Sequence, residues 1–333
     1  MKKRKSIVDL WKFVASILIM TYHIYHLDII LADMYWIYVE FFFILTGYFT
    51  YHHFQARVEE RKDIFEVGVK YTINKFMPFL PYTTVAITLQ YILVAHYSLI
   101  KTDFYGFISH FFTYPFEVML LGRVVADKQV LGPVWYLSSM LLVFPLVTFL
   151  CQIKNRYLLL VIAGMYSVLY YGRADFRSST WPNNELRALA GLLLGVFVCI
   201  LFDMIRETTS NAHAFAVTLI ETASMAFAFV VTTMGCVDLK RQVVFAFAIG
   251  VGTMMSGKSL TSRFNSRFIS YLGLLSLPMF IWHRVVGEII MRVDHFVPMS
   301  LLIRTMLYYS GTIIVSAISY AIVEITKKRG RRV

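Results

Sequence analysis

The sequence is poor in charged residues, and that shortage excludes an ordinary soluble protein. Charged residues make up 16% of its 333 positions, against about 25% in soluble domains. Hydrophobic residues make up 58% and gather in runs close to the roughly 20 residues that cross a bilayer as a helix. No polar stretch between these runs is long enough for a soluble domain. We therefore expect an all-α, polytopic membrane protein with a single domain, residues 1–333.

Cysteines and acidic residues are also scarce. The three cysteines lie far apart and form no Cys-x-x-Cys pair, so we expect neither a disulfide nor a metal site. The 20 acidic residues are outnumbered by 32 lysines and arginines, which gives a net charge of +12. These basic residues lie in loops and tails between the apolar runs, where they orient the chain in the membrane. We therefore expect no nucleic-acid partner.

Ten apolar runs predict ten membrane-spanning helices. They cover residues 7–27, 35–53, 77–98, 131–150, 157–171, 186–203, 213–234, 242–256, 268–290 and 301–324. Lysine and arginine are concentrated in the segments that this order places inside the cell, with both ends of the chain in the cytoplasm. We expect a multi-pass protein of the plasma (inner) membrane. The apolar stretch 104–121 contains Pro115, and we interpret it as re-entrant or interfacial.

Two ionisable residues, Lys12 and His23, stand inside the first predicted span. They are eleven residues apart, which is about three helical turns, so their side chains share one face about 16 Å apart along the axis. Asp9 falls close to the same face. A charged residue inside a span costs roughly 2.5–3.5 kcal/mol on insertion scales, which favours a functional role. Interfacial anchoring, with Lys12 extended toward the headgroups, is the alternative.

The second predicted span carries Glu40 and a Thr46-Gly47 pair within an aromatic run. A carboxylate is costly to bury without a partner, and a histidine of the first span is one candidate. The two small residues leave a notch where either a ligand or another helix can approach closely.

Further polar residues mark three later segments. Lys70 and Lys75, followed by two prolines, predict either a phosphate clamp at the cytoplasmic mouth or ordinary positive-inside anchoring. Trp135 begins the fourth span, where tryptophan is typical of an aromatic belt. His283 and Arg284 lie deep in the ninth predicted span and need partners or water there.

Taken in order, these motifs resemble the acyltransferase 3 family of integral membrane acyltransferases. Lys12 and His23 match the Arg/Lys-x10-His motif of its first span. Glu40 to Gly47 resembles the acidic residue, phenylalanines and Ser-Gly of its second span. Four further motifs of the family have counterparts at Lys75–Pro78, Trp135–Leu137, Tyr271–His283 and Glu324.

Two positions depart from the family pattern. The family's Arg-x-x-Arg before the third span is Thr72-x-x-Lys75 here, so the two-arginine clamp is absent and Lys70 is the candidate substitute. The glutamate often found five residues after the family's tryptophan is Met140, which rules out a role for that carboxylate.

The resemblance implies transfer of an acyl group, usually acetyl, from cytoplasmic acyl-CoA to a hydroxyl of a lipid-linked or surface glycan. Acetyl-CoA is then a co-substrate, and no permanently bound cofactor is expected. The chemistry needs a base with a pKa near 7, which suits histidine, and we assign that role to His23 with His283 as its partner. The expected donor-binding residues are Lys12, Lys70 and Lys75. The expected supporting residues are Asp9, Glu40, Thr46, Gly47, Trp135 and Arg284.

Two other functions stay open at this point. A transporter or flippase of glycan or lipid intermediates is the main alternative, because buried histidine and lysine can also line a substrate path. No internal repeat of the kind common in transporters is visible in the sequence. A catalytically inactive, scaffold-type relative is the other alternative, and it requires that His23 be replaceable without consequence.

Overall fold

The fold is that of a computed structural model, and it is helical throughout the part of the chain that the model describes. The described residues are 5–24, 34–55, 64–100, 104–125, 129–173, 176, 182–208 and 214–330. Within them the chain forms no strand. Long apolar runs favour helices because a helix satisfies its backbone hydrogen bonds within the segment. The all-α class predicted from composition is confirmed.

Thirteen α-helices follow one another in the described ranges. They are α1 Ser6–His23, α2 Tyr38–Gln55, α3 Ile64–Phe76, α4 Leu80–Ile100, α5 Phe104–Val118, α6 Gly122–Val125, α7 Trp135–Leu150, α8 Arg156–Tyr171, α9 Asn183–Thr208, α10 Ala214–Thr233, α11 Lys240–Ser256, α12 Arg267–Phe296 and α13 Leu301–Gly330. Within the described residues each of the ten predicted spans overlaps one of these helices, while residues 25–27 and 213 of those spans lie outside the described ranges. The apolar runs therefore locate ten of these helices.

Five of the described helices are long and apolar enough to cross a membrane. They lie within Gly132–Leu150, Asn183–Ile205, Ala214–Thr233, Arg267–Phe296 and Leu301–Lys328. A sixth arises if α3 and α4, which are bent by 55° at the break between them, count as one span. The count of ten spans and the cytoplasmic placement of both ends stay predictions. Residues 1–4 and 331–333, on which that placement partly depends, lie outside the described residues.

The stretch predicted as re-entrant or interfacial is the single helix α5, which packs along α4. Hydroxyl pairs join the two helices, with Tyr91 Oη 2.9 Å from Thr113 Oγ1 and Thr88 Oγ1 2.9 Å from Tyr114 Oη. At its end the buried Glu117 carboxylate accepts a hydrogen bond from the Val130 backbone N–H at 2.7 Å. Glu117 therefore ties α5 to the turn that precedes α7.

Helices α1 and α12 pack in parallel. The Ser266 N–H donates to Ser6 Oγ at 2.9 Å, and further along Ser16 Oγ donates to the Ser276 carbonyl at 3.0 Å. Both contacts pair a residue of α1 with the residue 260 positions later. Small side chains at these points let the two backbones come close, as is usual where helices pack in a membrane.

Helices α2 and α9 also approach closely, and Gly47 lies at their contact. A Cβ added at Gly47 would lie 2.9 Å from the Leu192 Cα, where no real Cβ fits. Of the two uses predicted for the Thr46-Gly47 notch, the structure therefore shows helix packing at the glycine.

Candidate active site

Two histidine rings meet where α1 ends against α12. His23 is the last residue of α1 and His283 lies in the middle of α12. Their ring centroids are 5.0 Å apart and the ring planes make an angle of 35°. The parallel packing of the two helices thus brings into contact the two histidines that sequence analysis paired as base and partner.

The hydrogen bonding of His283 defines which ring nitrogen carries its proton. Its Nδ1 lies 3.2 Å from the Met279 carbonyl oxygen, one helical turn earlier. A carbonyl oxygen can only accept, so Nδ1 donates and Nε2 keeps its lone pair. His283 is fully buried, and within the described chain its Nε2 has no hydrogen-bond partner. The Nε2 atom of His283 is therefore available inside the helix bundle as a hydrogen-bond or proton acceptor.

Lys12 forms an ion pair within α1, on the same helix as His23. Its Nζ lies 3.3 Å from Asp9 Oδ1, and the Asp9 side chain is 6% exposed against 24% for Lys12. Asp9 in turn packs on Gly273 of α12: a Cβ at position 273 would lie 2.7 Å from the Asp9 Cα. The glycine is therefore required for the approach that buries this carboxylate.

A cavity of about 290 Å³ opens beside Lys12, between α1, α2, α7, α12 and the α3–α4 junction. Lys12 and Lys75 supply its two positive charges, and Thr46, Tyr136 and Ser276 its hydroxyl groups. The other lining residues are apolar: Phe42, Leu45, Phe49, Phe79, Leu137, Met140, Gly273, Leu274, Leu277 and Phe280. A site of this kind, mostly apolar with a few polar groups, is typical of small-molecule binding.

The predicted lysines are not equivalent in the structure. Lys75 is half-buried and lines the cavity, whereas Lys70 lies on the exposed face of α3 outside the cavity lining. The two are five residues apart on one helix, so at about 100° per residue they point in different directions. The structure thus brings Lys12 and Lys75 together and leaves Lys70 apart.

Glu40 sits in a buried polar cluster with an arginine that sequence analysis missed. Its carboxylate accepts hydrogen bonds from the Tyr171 hydroxyl and from Arg187 Nε, and Glu40 and Arg187 are 0% and 4% exposed. The Arg187 guanidinium lies 4.8 Å from the Trp36 ring centroid and 5.2 Å from that of Trp135. Arginine stacked on two aromatic faces is held by cation–π attraction.

In this cluster Glu40 and Trp135 both contact Arg187, which the sequence did not indicate. The histidine of the first span was one candidate partner for Glu40, and the hydrogen-bond partners that the structure gives its carboxylate are on α8 and α9 instead. Arg187 could have been recognised from the sequence as a candidate partner, because it is a charged residue at the start of an apolar run. Arg284, another predicted supporting residue, is half-buried on α12 and lies outside the cavity lining.

Two kinds of functional group lie at different positions along α1. At one position Lys12 and Lys75 are beside a cavity, and at the other are the imidazoles of His23 and His283, of which the His283 ring keeps an unshared lone pair. Lys12 and His23 are eleven positions apart on the helix, about 16 Å along its axis. The arrangement therefore offers groups suited to anion binding at one end of this interval and groups suited to proton transfer at the other.

Comparison with known proteins gives one match. The family model for the acyltransferase 3 family, described as an acyltransferase domain, matches residues 6–323. No curated protein and no solved structure matches the chain. The matched range includes every site residue from Asp9 to Arg284.

Proposed function

This chain belongs to the acyltransferase 3 family, as its motifs predicted, and from that premise we propose that it is a membrane O-acyltransferase of the plasma (inner) membrane. It transfers an acyl group, in the first instance acetyl, from cytoplasmic acyl-CoA to a hydroxyl of a cell-surface or lipid-linked glycan. The proposal rests on the contact between His23 and His283. His23 lies on α1, the helix that also places Lys12 at the cavity.

His23 is the general base of the proposed reaction. It takes the proton of the acceptor hydroxyl while that oxygen attacks the thioester carbonyl. The new carbon–oxygen bond forms, the carbon–sulfur bond breaks, and the coenzyme A thiolate leaves with the proton that His23 returns. A positioned base of this type contributes about 10²–10⁴-fold to the rate. The half-buried position of His23 at the end of α1 supports this choice, since an acceptor must reach the base.

His283 positions His23 in this proposal. It is fully buried, its Nδ1–H is fixed by the Met279 carbonyl, and its Nε2 can accept a hydrogen bond from a neighbouring N–H. A second imidazole that is locked in one tautomer holds the reactive ring in place, as a fixed partner does in other acid–base pairs.

The acyl donor occupies the cavity lined by Lys12 and Lys75 in this proposal. Coenzyme A carries several phosphate charges, and lysine ammonium groups bind phosphate through charge-assisted hydrogen bonds. The volume of about 290 Å³ is at the lower limit of small-molecule sites, which are about 300–1,000 Å³. It therefore suits the extended arm that bears the thioester rather than the whole donor.

Acetate labelling of cells that produce His23→Ala protein tests the assignment. We expect alkali-labile acetyl groups on the surface glycan to be lost while the amount of membrane-inserted protein stays normal. His52→Ala is the matched control, because His52 lies on the exposed face of α2, away from the cavity. Retained acetylation in the His23→Ala cells would contradict the role of this residue.

The transporter alternative makes a different prediction in the same cells. A flippase delivers its glycan or lipid intermediate without any acyl-CoA. If depletion of acyl-CoA leaves delivery intact and the glycan never carries an acyl group, the proposed acyl transfer is wrong and transport is favoured.

A further inference from the structure

Phe280 stands between the cavity and the histidine pair. Its side chain lines the cavity, and its ring centroid is 6.1 Å from that of His283. Phe280 is 5% exposed. Residues three apart on a helix share a face, so Phe280 and His283 follow one another along the stripe of α12 that faces the cavity. Phe280 is therefore the residue of α12 that both lines the cavity and contacts His283.

The Phe280 ring is held in position by further aromatic side chains. Its centroid lies 5.4 Å from that of Tyr136, and the Tyr136 ring lies 4.6 Å from Phe43. Tyr136 also lines the cavity, and Phe43 is fully buried. We call Phe43, Tyr136 and Phe280 the aromatic wall. Close-packed interiors yield little without displacing neighbours, so this wall limits the space that an acyl group can occupy beside His283.

We propose that Phe280 closes the donor cavity next to His283 and thereby limits the length of the acyl group that the protein transfers. The inference rests on the proposed function, since it requires the cavity to hold the acyl donor. Beyond the reacting carbonyl an acetyl group has one methyl, whereas propionyl and butyryl place further methylenes against the Phe280 ring. Forcing these methylenes into a packed wall displaces side chains from their preferred rotamers.

Phe280 variants are expected to change the order of donor preference. One methylene in an apolar pocket changes relative rates by about 10–200-fold. Phe280→Ala, which removes the ring, is expected to raise the rate with butyryl-CoA relative to acetyl-CoA by about tenfold or more. Phe280→Trp, which extends the wall, is expected to lower the rate with propionyl-CoA further than the rate with acetyl-CoA.

The experiment uses inside-out membrane vesicles that contain the full-length protein and its native acceptor. Radiolabelled acetyl-, propionyl- and butyryl-CoA are supplied in turn, and alkali-labile label in the glycan is measured. Phe247→Ala is the matched control: Phe247 is fully buried, its ring lies 5.0 Å from Tyr38, and it is absent from the lining of the cavity. We expect its donor preference to equal that of the wild type.

The outcomes separate the inference from the proposed function. If the wild type transfers no acyl group from any donor, the proposed function fails. If it transfers acetyl and Phe280→Ala keeps the wild-type preference, Phe280 does not limit the chain and the inference is overturned. If the Phe280→Ala protein is not inserted into the membrane, the donor preference of Phe280→Leu is compared with that of the wild type and interpreted in the same way. A shift in Phe247→Ala equal to that in Phe280→Ala also overturns the inference, because general loosening then explains both.

Discussion

The backbones of α1 and α12 touch at Asp9 and Gly273. A Cβ on residue 273 would lie 2.7 Å from the Asp9 Cα and would also overlap the Asp9 side chain. Further along the same two helices, His23 and His283 are in ring contact. Gly273 therefore affects the contact between the two histidines indirectly, because it sets how closely α1 and α12 approach each other.

Gly273→Ala should disable acyl transfer although alanine favours helices. Alanine is better than glycine in a helix interior by about 1 kcal/mol, so a loss of stability reports the clash of the added Cβ with Asp9 and not a loss of helix propensity. We expect acetylation to fall at least tenfold and thermal stability in detergent to drop. Gly287→Ala on the same helix is the control, since its added Cβ would meet Tyr308 at an ordinary 3.4 Å. Equal losses in both variants would contradict this account.

The Glu40–Arg187 pair should be necessary for a stable fold. Removing one member of a buried ion pair leaves an uncompensated charge and costs about 3–5 kcal/mol. Arg187→Met should therefore destabilise the purified protein strongly, and adding Glu40→Gln should restore part of the loss. Lys327→Ala breaks an exposed pair, 3.6 Å from Glu324, and should cost about 1 kcal/mol or less. Strictly additive effects of the first two changes would show that the pair is not coupled.

Lys75 and Lys70 form a matched pair on α3 for testing the donor site. Lys75→Met should raise the KM for acyl-CoA about tenfold or more, because a hydrogen bond to a charged group is worth about 1.5–3 kcal/mol. Lys70→Met should change it about twofold at most, since Lys70 lies outside the cavity lining. Initial rates at varied acyl-CoA measure both. A larger effect at Lys70 would place the donor on the exposed face of α3.

His283 should affect turnover more than donor binding. His283→Ala should lower kcat by about tenfold to a hundredfold with little change in the KM for acyl-CoA, a smaller loss than in His23→Ala. His283→Asn should retain more activity, because its amide keeps a donor near the Met279 carbonyl. Membrane vesicles with varied donor supply both parameters. Complete inactivation by His283→Ala alone, with the protein still inserted, would reverse the roles of the two histidines.

Apart from the pairing of His23 with His283, which came from the family resemblance, sequence analysis predicted what depends on a single helix and missed contacts between two helices. The shared face of Lys12 and His23 follows from one period of 3.6 residues, and α1 is indeed one unbroken helix from Ser6 to His23. The partnership of Glu40 with Arg187 joins α2 to α9, and no periodicity specifies which residues of two helices meet. Such contacts are decided by packing between elements far apart in the chain.

The lysines illustrate the same limit at closer range. Sequence analysis grouped Lys70 and Lys75 because both precede the two prolines, but they lie five residues apart on α3 and only Lys75 lines the cavity. The helical period shows that the two side chains point in different directions, whereas the one that faces the cavity depends on the neighbours against which α3 packs. Lys75 and Lys70 were therefore grouped by sequence and are separated by geometry.

The parallel contact of α1 with α12 has a consequence for biosynthesis. A nascent chain inserts α1, with His23 and Lys12, long before the ribosome reaches residue 283. Contacts between residues so distant in the chain form late. Until α12 is inserted, the first helix lacks both its second imidazole and the Phe280 side chain. The contact between the two histidines therefore forms only in the last stage of synthesis, and unfinished chains lack it.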